Sequence, residues 1–286
     1  MSNAFKKGAG AAHKWTSQKQ KAPPLPTMIK AEDGKQLWEP KEKTFYLCNM
    51  WKAIWEKKHE STIQIQVWSR ILEGMCKNEE QELITANDIM QAAKLLRGSI
   101  GIDWWEVEHL KSMTEEVAQA FADILNQVEK KVAWPVQTLL SLIVLMGKPN
   151  GGVRPIALMP MLYRLWTKVR RSTIHCWDKD HTGPWDAAIK GSSALRAAVI
   201  GALYDEVASL NHESVATILW DMEKFYDNID LVKLTEQAVE VEYPIRVYTL
   251  GLQMHMSPRV VKAYDCNMHA STPTNGIIAG CVQSNY

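Results

Sequence analysis

No stretch of this 286-residue sequence approaches the about 20 consecutive apolar residues that a membrane-crossing helix needs. The richest run, 139–146, is far shorter, and the basic N-terminus lacks the apolar core of a secretory signal. Paired cysteines are missing too. Cys48, Cys76, Cys176, Cys266 and Cys281 are scattered without C-x-x-C spacing. That excludes a disulfide scaffold and a cysteine zinc site, and the expectation is reduced thiols in an intracellular setting, nucleus or cytoplasm unresolved. The histidines form no H-E-x-x-H pair, and no G-x-x-x-x-G-K-S/T phosphate loop occurs. A charge excess is absent as well. With a net charge of +1, any nucleic-acid contact needs its basic residues gathered on one face.

What is present begins with a basic stretch. Residues 1–30 hold six lysines and no acidic residue, with a Pro-Pro-Leu-Pro run at 23–26, and a disordered arm is expected over 1–40. A helical N-terminal extension follows over 41–85. Phe45, Met50, Trp51 and Trp55 hint at one helix there. Trp68, Ile71, Leu72 and Met75 repeat at i, i+3, i+4 and i+7 and predict the inward face of another.

Further on, Asn87 is placed to cap a helix through Leu96. Ser112 and Glu115 have capping-box spacing before a helix with Val117, Phe121, Ile124 and Val128 on one face, stopped by Trp134-Pro135. Two apolar runs, 139–146 and 153–158, flank Pro149-Asn150-Gly151-Gly152, which predicts a hairpin. Lys148 and Arg154 bracket that turn. A compact ammonium and a planar guanidinium on one hairpin would suit a triphosphate, although basic residues beside turns are common. After Pro160 a helix carries Leu162, Leu165, Trp166 and Val169 on one side and the stripe Arg164, Lys168, Arg171 on another. That stripe is either a solvated face or a phosphate-backbone contact.

A helix over 193–209 precedes the β-prone run Val215 to Trp220, read as a buried strand that ends on Asp221. A carboxylate at such a strand end suits a hard divalent cation; a polar turn and helix cap fit the same residues. Asp227 and Asp230 follow, and a helix starting there would point them elsewhere. Two more segments, 247–256 helical and 259–264 strand-like, lead to Gly276 and Gly280, where backbone can approach something flat or bulky.

In this order, residues 87–286 resemble the reverse transcriptase family, closest to the non-LTR retroelement and group II intron type. Lys148-Pro149-Asn150-Gly151-Gly152-Val153-Arg154-Pro155-Ile156 is similar to its K-P-x-G-G-x-R-P-I fingers hairpin. Asp221 to Asp227 is similar to motif A, D-x-x-K-A-F-D, and 276–285 to motif B, G-I-P-Q-G-x-x-x-S-P. The resemblance implies an α/β (α+β) right-hand polymerase, with fingers and partial palm over 86–286. It implies RNA-directed DNA polymerase activity on an RNA template and DNA primer, with dNTP as substrate and Mg²⁺ or Mn²⁺ as cofactor.

Residue by residue, Asp221 and the Met222 carbonyl would hold metal. Lys148 and Arg154 would meet the triphosphate, Tyr226 would screen the sugar 2′ position, and Gly280 and Ser284 match motif B. Three departures stand out: Phe225 replaces a small residue, Ala279 the motif B glutamine and Asn285 the proline. No F/Y-x-D-D follows Asp221 within these residues, and there is no thumb. An incomplete carboxylate set is implied, and this chain alone is expected not to polymerise. Two other readings compete. A viral-type RNA-dependent RNA polymerase would carry an acidic residue where Tyr226 stands, and a non-catalytic nucleic-acid-binding domain would use the basic hairpin and stripe without metal.

Overall fold

The computed structural model describes residues 23–57, 61–80, 82–98, 100–149, 151–183, 193–218, 222–270 and 272–281. They form a mixed helix-and-sheet architecture. A two-stranded hairpin, β1 (Ile29–Lys30) with β2 (Gln36–Leu37), already lies within the stretch expected as an arm. The expectation of disorder over 1–40 is therefore corrected for 23–40. Tyr264 donates its hydroxyl to the Pro26 carbonyl at 2.6 Å and the Lys43 ammonium donates to Thr27 O at 2.8 Å, so this segment is bonded to the body.

The N-terminal helices are α1 (Pro40–Trp55) and α2 (Ser61–Lys77). In α1, Trp51 and Trp55 turn inward while Phe45 and Met50 stay exposed. In α2 the buried side chains are Ile65, Leu72 and Cys76, not the face through Trp68, Ile71 and Met75. The reason is tertiary. Helices α9 (Leu231–Glu240) and α10 (Ile245–His255) cover that side of α2, and Leu231, Leu252 and Ile277 complete its core.

Helix α3 (Ala86–Lys94) is capped by Thr85 rather than Asn87. Asp88 N–H donates to the Thr85 hydroxyl, and the Asp88 carboxylate accepts from Thr85 N at 2.9 Å. The Thr85 hydroxyl also donates to the Asp88 carboxylate at 2.7 Å, and this bond first, with the one from Thr85 N, holds the Asp88 carboxyl below the usual carboxylate range. After the short α4 (Val107–Lys111), α5 (Glu115–Lys131) is capped by Thr114, not Ser112. Its buried face is Ala118, Ala122, Leu125 and Val128, so Val117 and Ile124 remain exposed. Small residues explain the rotation. Ala92 and Ala93 of α3 share a core with Ala118 and Ala122, allowing a close approach that a Val117/Phe121 face would prevent.

The hairpin forms as expected, with β3 (Ser141–Gly147) antiparallel to β4 (Val153–Leu158). The sheet order is β4-β3-β5-β6, where β5 (Arg259–Ala263) runs parallel to β3 and antiparallel to β6 (Cys266–Ala270). The β5–β6 hairpin was not foreseen. Its turn places Tyr264 and Asp265 both at positive φ, a two-residue geometry that Asn-Gly would have advertised and Tyr-Asp does not. Helix α1 covers one face of the sheet through Leu47, Trp51 and Trp55 against Ile143, Leu145 and Val261.

Three helices complete the fold: α6 (Met161–Val169), α7 (Arg171–His181) and α8 (Ala194–Leu210). Around Trp166, α6 builds the main core. Glu129 accepts from the Trp166 indole at 2.7 Å and from the Arg170 guanidinium at 2.6 and 2.7 Å. The buried strand expected over 215–220 is corrected for 215–218, and 219–220 lie outside the described residues. Val215 and Ile218 are 57 % and 70 % exposed, and among the described residues no strand pairs with 215–218. A β-prone run without a partner strand leaves its backbone to water.

Candidate functional site

A three-way junction ties the end of α1 to the 3₁₀ turn over 226–228 and to the loop over 274–278. The last residue of α1, Trp55, donates its indole N–H to Asp227 Oδ1 at 2.7 Å. Its carbonyl accepts from Thr274 N at 2.8 Å and Asn275 N at 3.0 Å. The loop over 274–278 then bonds to the 3₁₀ turn Tyr226–Asn228 and its exit: Asn275 Nδ2 to Asp227 O at 3.0 Å, Gly276 N to Ile229 O and Ile277 N to Tyr226 O, both at 2.8 Å. Gly276 is needed here. It sits at φ 78°, and a Cβ would lie 2.5 Å from the Asp227 carbonyl oxygen.

Behind the turn lies a buried polar group of residues. Arg259 is 1 % exposed, with its guanidinium carbon 4.5 Å from the Trp55 ring centroid. Burial pushes the Arg259 pKa down to about 10, against the upward pull of Asp227. Asp227 is itself raised by burial, which outweighs the Trp55 bond and the charges of Arg259 and Lys224. His255 is pushed down to about 3, by burial first and by Arg259 second, and its Nδ1 accepts from Ile278 N at 3.0 Å. The imidazole is therefore neutral and acts as a fixed acceptor for the loop over 274–278.

Of the expected site residues, three come together. Arg164, Lys168 and Gly280 line one cleft of about 290 Å³ with Arg97 and Gly98. Arg164 also donates to the Arg97 carbonyl. Burial lowers both basic pKa values, and for Lys168 the charges of Arg171 and Arg164 add to it. The single-helix stripe needs correction, because α6 ends at Val169 and Arg171 opens α7. Arg171 is exposed and outside the cleft, though close enough to act on Lys168 electrostatically.

Lys148 and Arg154 are both exposed. Arg154 pairs with Met146 across the ladder, and Lys148 N closes the turn onto Gly152 O at 2.7 Å. Tyr226 is half-buried against Phe225, and Met222 is exposed. Asp221 and Ser284 lie outside the described residues.

As metal ligands, Asp227 and Asp230 do not fit. Asp227 is buried against Trp55 beside Arg259, and Asp230 caps α9 by accepting from Val232 N and Lys233 N. Among the described residues no group of three His, Cys, Asp or Glu side chains is placed to hold a metal ion.

The reading of the sequence missed Trp55, Asn275 and Arg259. Only Arg259 left a signal, a charged residue in phase with Val261 and Ala263 on the buried side of β5. Compared with known proteins, the chain matches no protein-family model and no curated protein.

Proposed function

We propose that this chain is the fingers and first part of the palm of an RNA-directed DNA polymerase. On this reading it takes an RNA template, a DNA primer and dNTP, with Mg²⁺ or Mn²⁺ as the cation. The observation that carries the reading is the β3–β4 hairpin: a Lys-Pro-Asn-Gly-Gly-Val-Arg sequence with both basic residues exposed at its turn end. The junction adds support, because it bonds the turn holding Tyr226 to the loop leading to Gly280. Lys148 and Arg154 are assigned to the triphosphate, Tyr226 to the sugar, and Arg164 and Lys168 to a phosphate backbone. Asp221 and the Met222 carbonyl are assigned to the cation, which would neutralise the triphosphate oxygens during attack by a primer 3′-hydroxyl.

Binding of dTTP by the full chain, measured with and without Mg²⁺, tests this. Mg²⁺ is expected to tighten binding, Asp221→Ala to abolish that gain, and Lys148→Ala and Arg154→Ala each to weaken binding about tenfold, at the scale of a charge-assisted hydrogen bond. A second reading, a nucleic-acid-binding domain that uses no metal, is favoured by the commitment of Asp227 and Asp230 to other partners. Affinity for dTTP indifferent to Mg²⁺ would select it.

A further inference from the structure

A cavity of about 150 Å³ opens between α7, α9 and α10. It runs from an exposed mouth at Gln237 to a buried floor at Ala238, Gly251, His255 and Ile277. No lining residue is an acid, a lysine or an arginine. An engineered apolar cavity of about 150 Å³ stays dry and takes up benzene, so the space suits one ring. Three aromatic side chains line it. Tyr243 meets Trp177 at 4.8 Å and Tyr248 at 6.3 Å, both edge to face with ring planes 68° and 79° apart. An aromatic ring placed among them gains edge and face contacts that a saturated ring does not.

Gly251 is the unusual member. It sits inside α10, where glycine weakens a helix relative to alanine, and it lines the cavity without a side chain to fill it. The floor also holds a polar group with a hydrogen to give. His255 is 6 % exposed and kept neutral by burial, and its Nδ1 accepts from Ile278 N at 3.0 Å, so the imidazole proton sits on Nε2. Among the described residues nothing accepts from that N–H. At the mouth Gln237 Nε2 donates to Glu240 Oε2 at 2.6 Å, which places a carboxylate where it disfavours an anionic ligand.

We propose that this cavity binds a neutral small molecule of the phenol class, with its ring among Trp177, Tyr243 and Tyr248 and its hydroxyl oxygen accepting from His255 Nε2. An apolar site with one convergent polar group fixes both the fit and the orientation of such a ligand. Ile277 is part of the floor and His255 holds Ile278 N, so the bound phenol also fastens the loop over 274–278. Neither metal, nucleotide nor nucleic acid takes part, and the inference stands apart from the polymerase reading.

The test is isothermal titration calorimetry of the full chain with phenol, with cyclohexanol, benzoate and toluene as comparisons. Phenol is expected to saturate one site and to bind about tenfold more tightly than cyclohexanol or benzoate. Toluene should bind no more tightly than phenol, although water rejects it more strongly, because it leaves the His255 N–H without an acceptor. Ala238→Met and Gly251→Met each place a side chain in the cavity and should weaken phenol binding about tenfold or more. Their thermal midpoints should not fall below wild type, and if one variant fails to fold the other decides. Hydrogen exchange of the wild-type chain supplies a readout that needs no variant: saturating phenol should slow the amides of Ile277 and Ile278. No saturable phenol binding overturns the proposal, as does cyclohexanol or benzoate binding as tightly as phenol. Tighter binding of toluene, undiminished phenol binding in both folded variants, or unchanged exchange at Ile277 and Ile278 overturns it too. A chain that fails to gain dTTP affinity with Mg²⁺ yet binds phenol in this way loses the polymerase reading and keeps this one.

Discussion

The indole N–H of Trp55 donates to Oδ1 of Asp227 at 2.7 Å, joining the end of α1 to the 3₁₀ turn Tyr226–Asn228. Trp55→Phe keeps most of the ring packing and removes the donor, leaving a buried carboxylate with one partner fewer. The expected loss of stability is about 1–3 kcal/mol, the cost of a buried polar group left unsatisfied. Urea unfolding of wild type and variant checks it, and an unchanged midpoint would refute the role given to this bond.

Gly276 and Gly280 both have positive φ, but only Gly276 faces backbone where its Cβ would be. Gly276→Ala should therefore destabilise the chain by several kcal/mol or prevent folding, combining strain with overlap at Asp227. Gly280→Ala should cost about 1–2 kcal/mol, at the scale of left-handed strain alone. Thermal melts of the two variants compare them directly, and equal losses would remove the packing argument.

Much of the chain's local structure was legible because its causes are local. The Asn-Gly-Gly turn between two apolar runs specifies the β3–β4 hairpin, and the Pro after Tyr243 marks the boundary between α9 and α10. Helix faces were less legible. On α5 the pattern Val117, Phe121, Ile124 is regular, yet Ala118 and Ala122 face inward because a small-residue surface on α3 meets them. Of the junction, only the close backbone approach at Gly276 was legible. Its partners lie far apart in the chain, and bonds between backbone groups, such as Gly276 N to Ile229 O, carry no sequence signature.

Glu129, 1 % exposed, holds Arg170 and the Trp166 indole together. Glu129→Leu leaves a buried guanidinium with less compensation and should cost about 3–5 kcal/mol. The double variant Glu129→Leu with Arg170→Met should recover a large part of that loss, because no unpaired charge remains. Guanidinium chloride titrations of both variants decide it, and a double variant less stable than either single one would contradict the account.

His255 supplies a pH dependence of defined sign. Its pKa is near 3 in the folded chain against an ordinary value of 6.5, so the unfolded chain binds the proton more readily. The stability that the neutral imidazole contributes is complete above about pH 6.5 and is lost as pH falls toward 3, by up to about 1.4 kcal/mol per pH unit. His255→Gln retains an acceptor for Ile278 N without titrating. The variant should lack this part of the acid loss when the two unfolding free energies are compared between pH 7 and pH 4. Asp227 works the other way, because its raised pKa favours the protonated form as pH falls.

The parallel pairing of β3 with β5 has a consequence for how the protein is made. Residues 148–258 must leave the ribosome before β5 can reach its neighbour, so β3 and β4 wait as an isolated hairpin with an unpaired edge of Leu, Ile and Val. Contacts this distant in the chain slow folding. The nascent chain thus passes through a long interval in which the β3 edge is a template for aggregation, and holdase chaperones that shield extended apolar segments should raise its soluble yield.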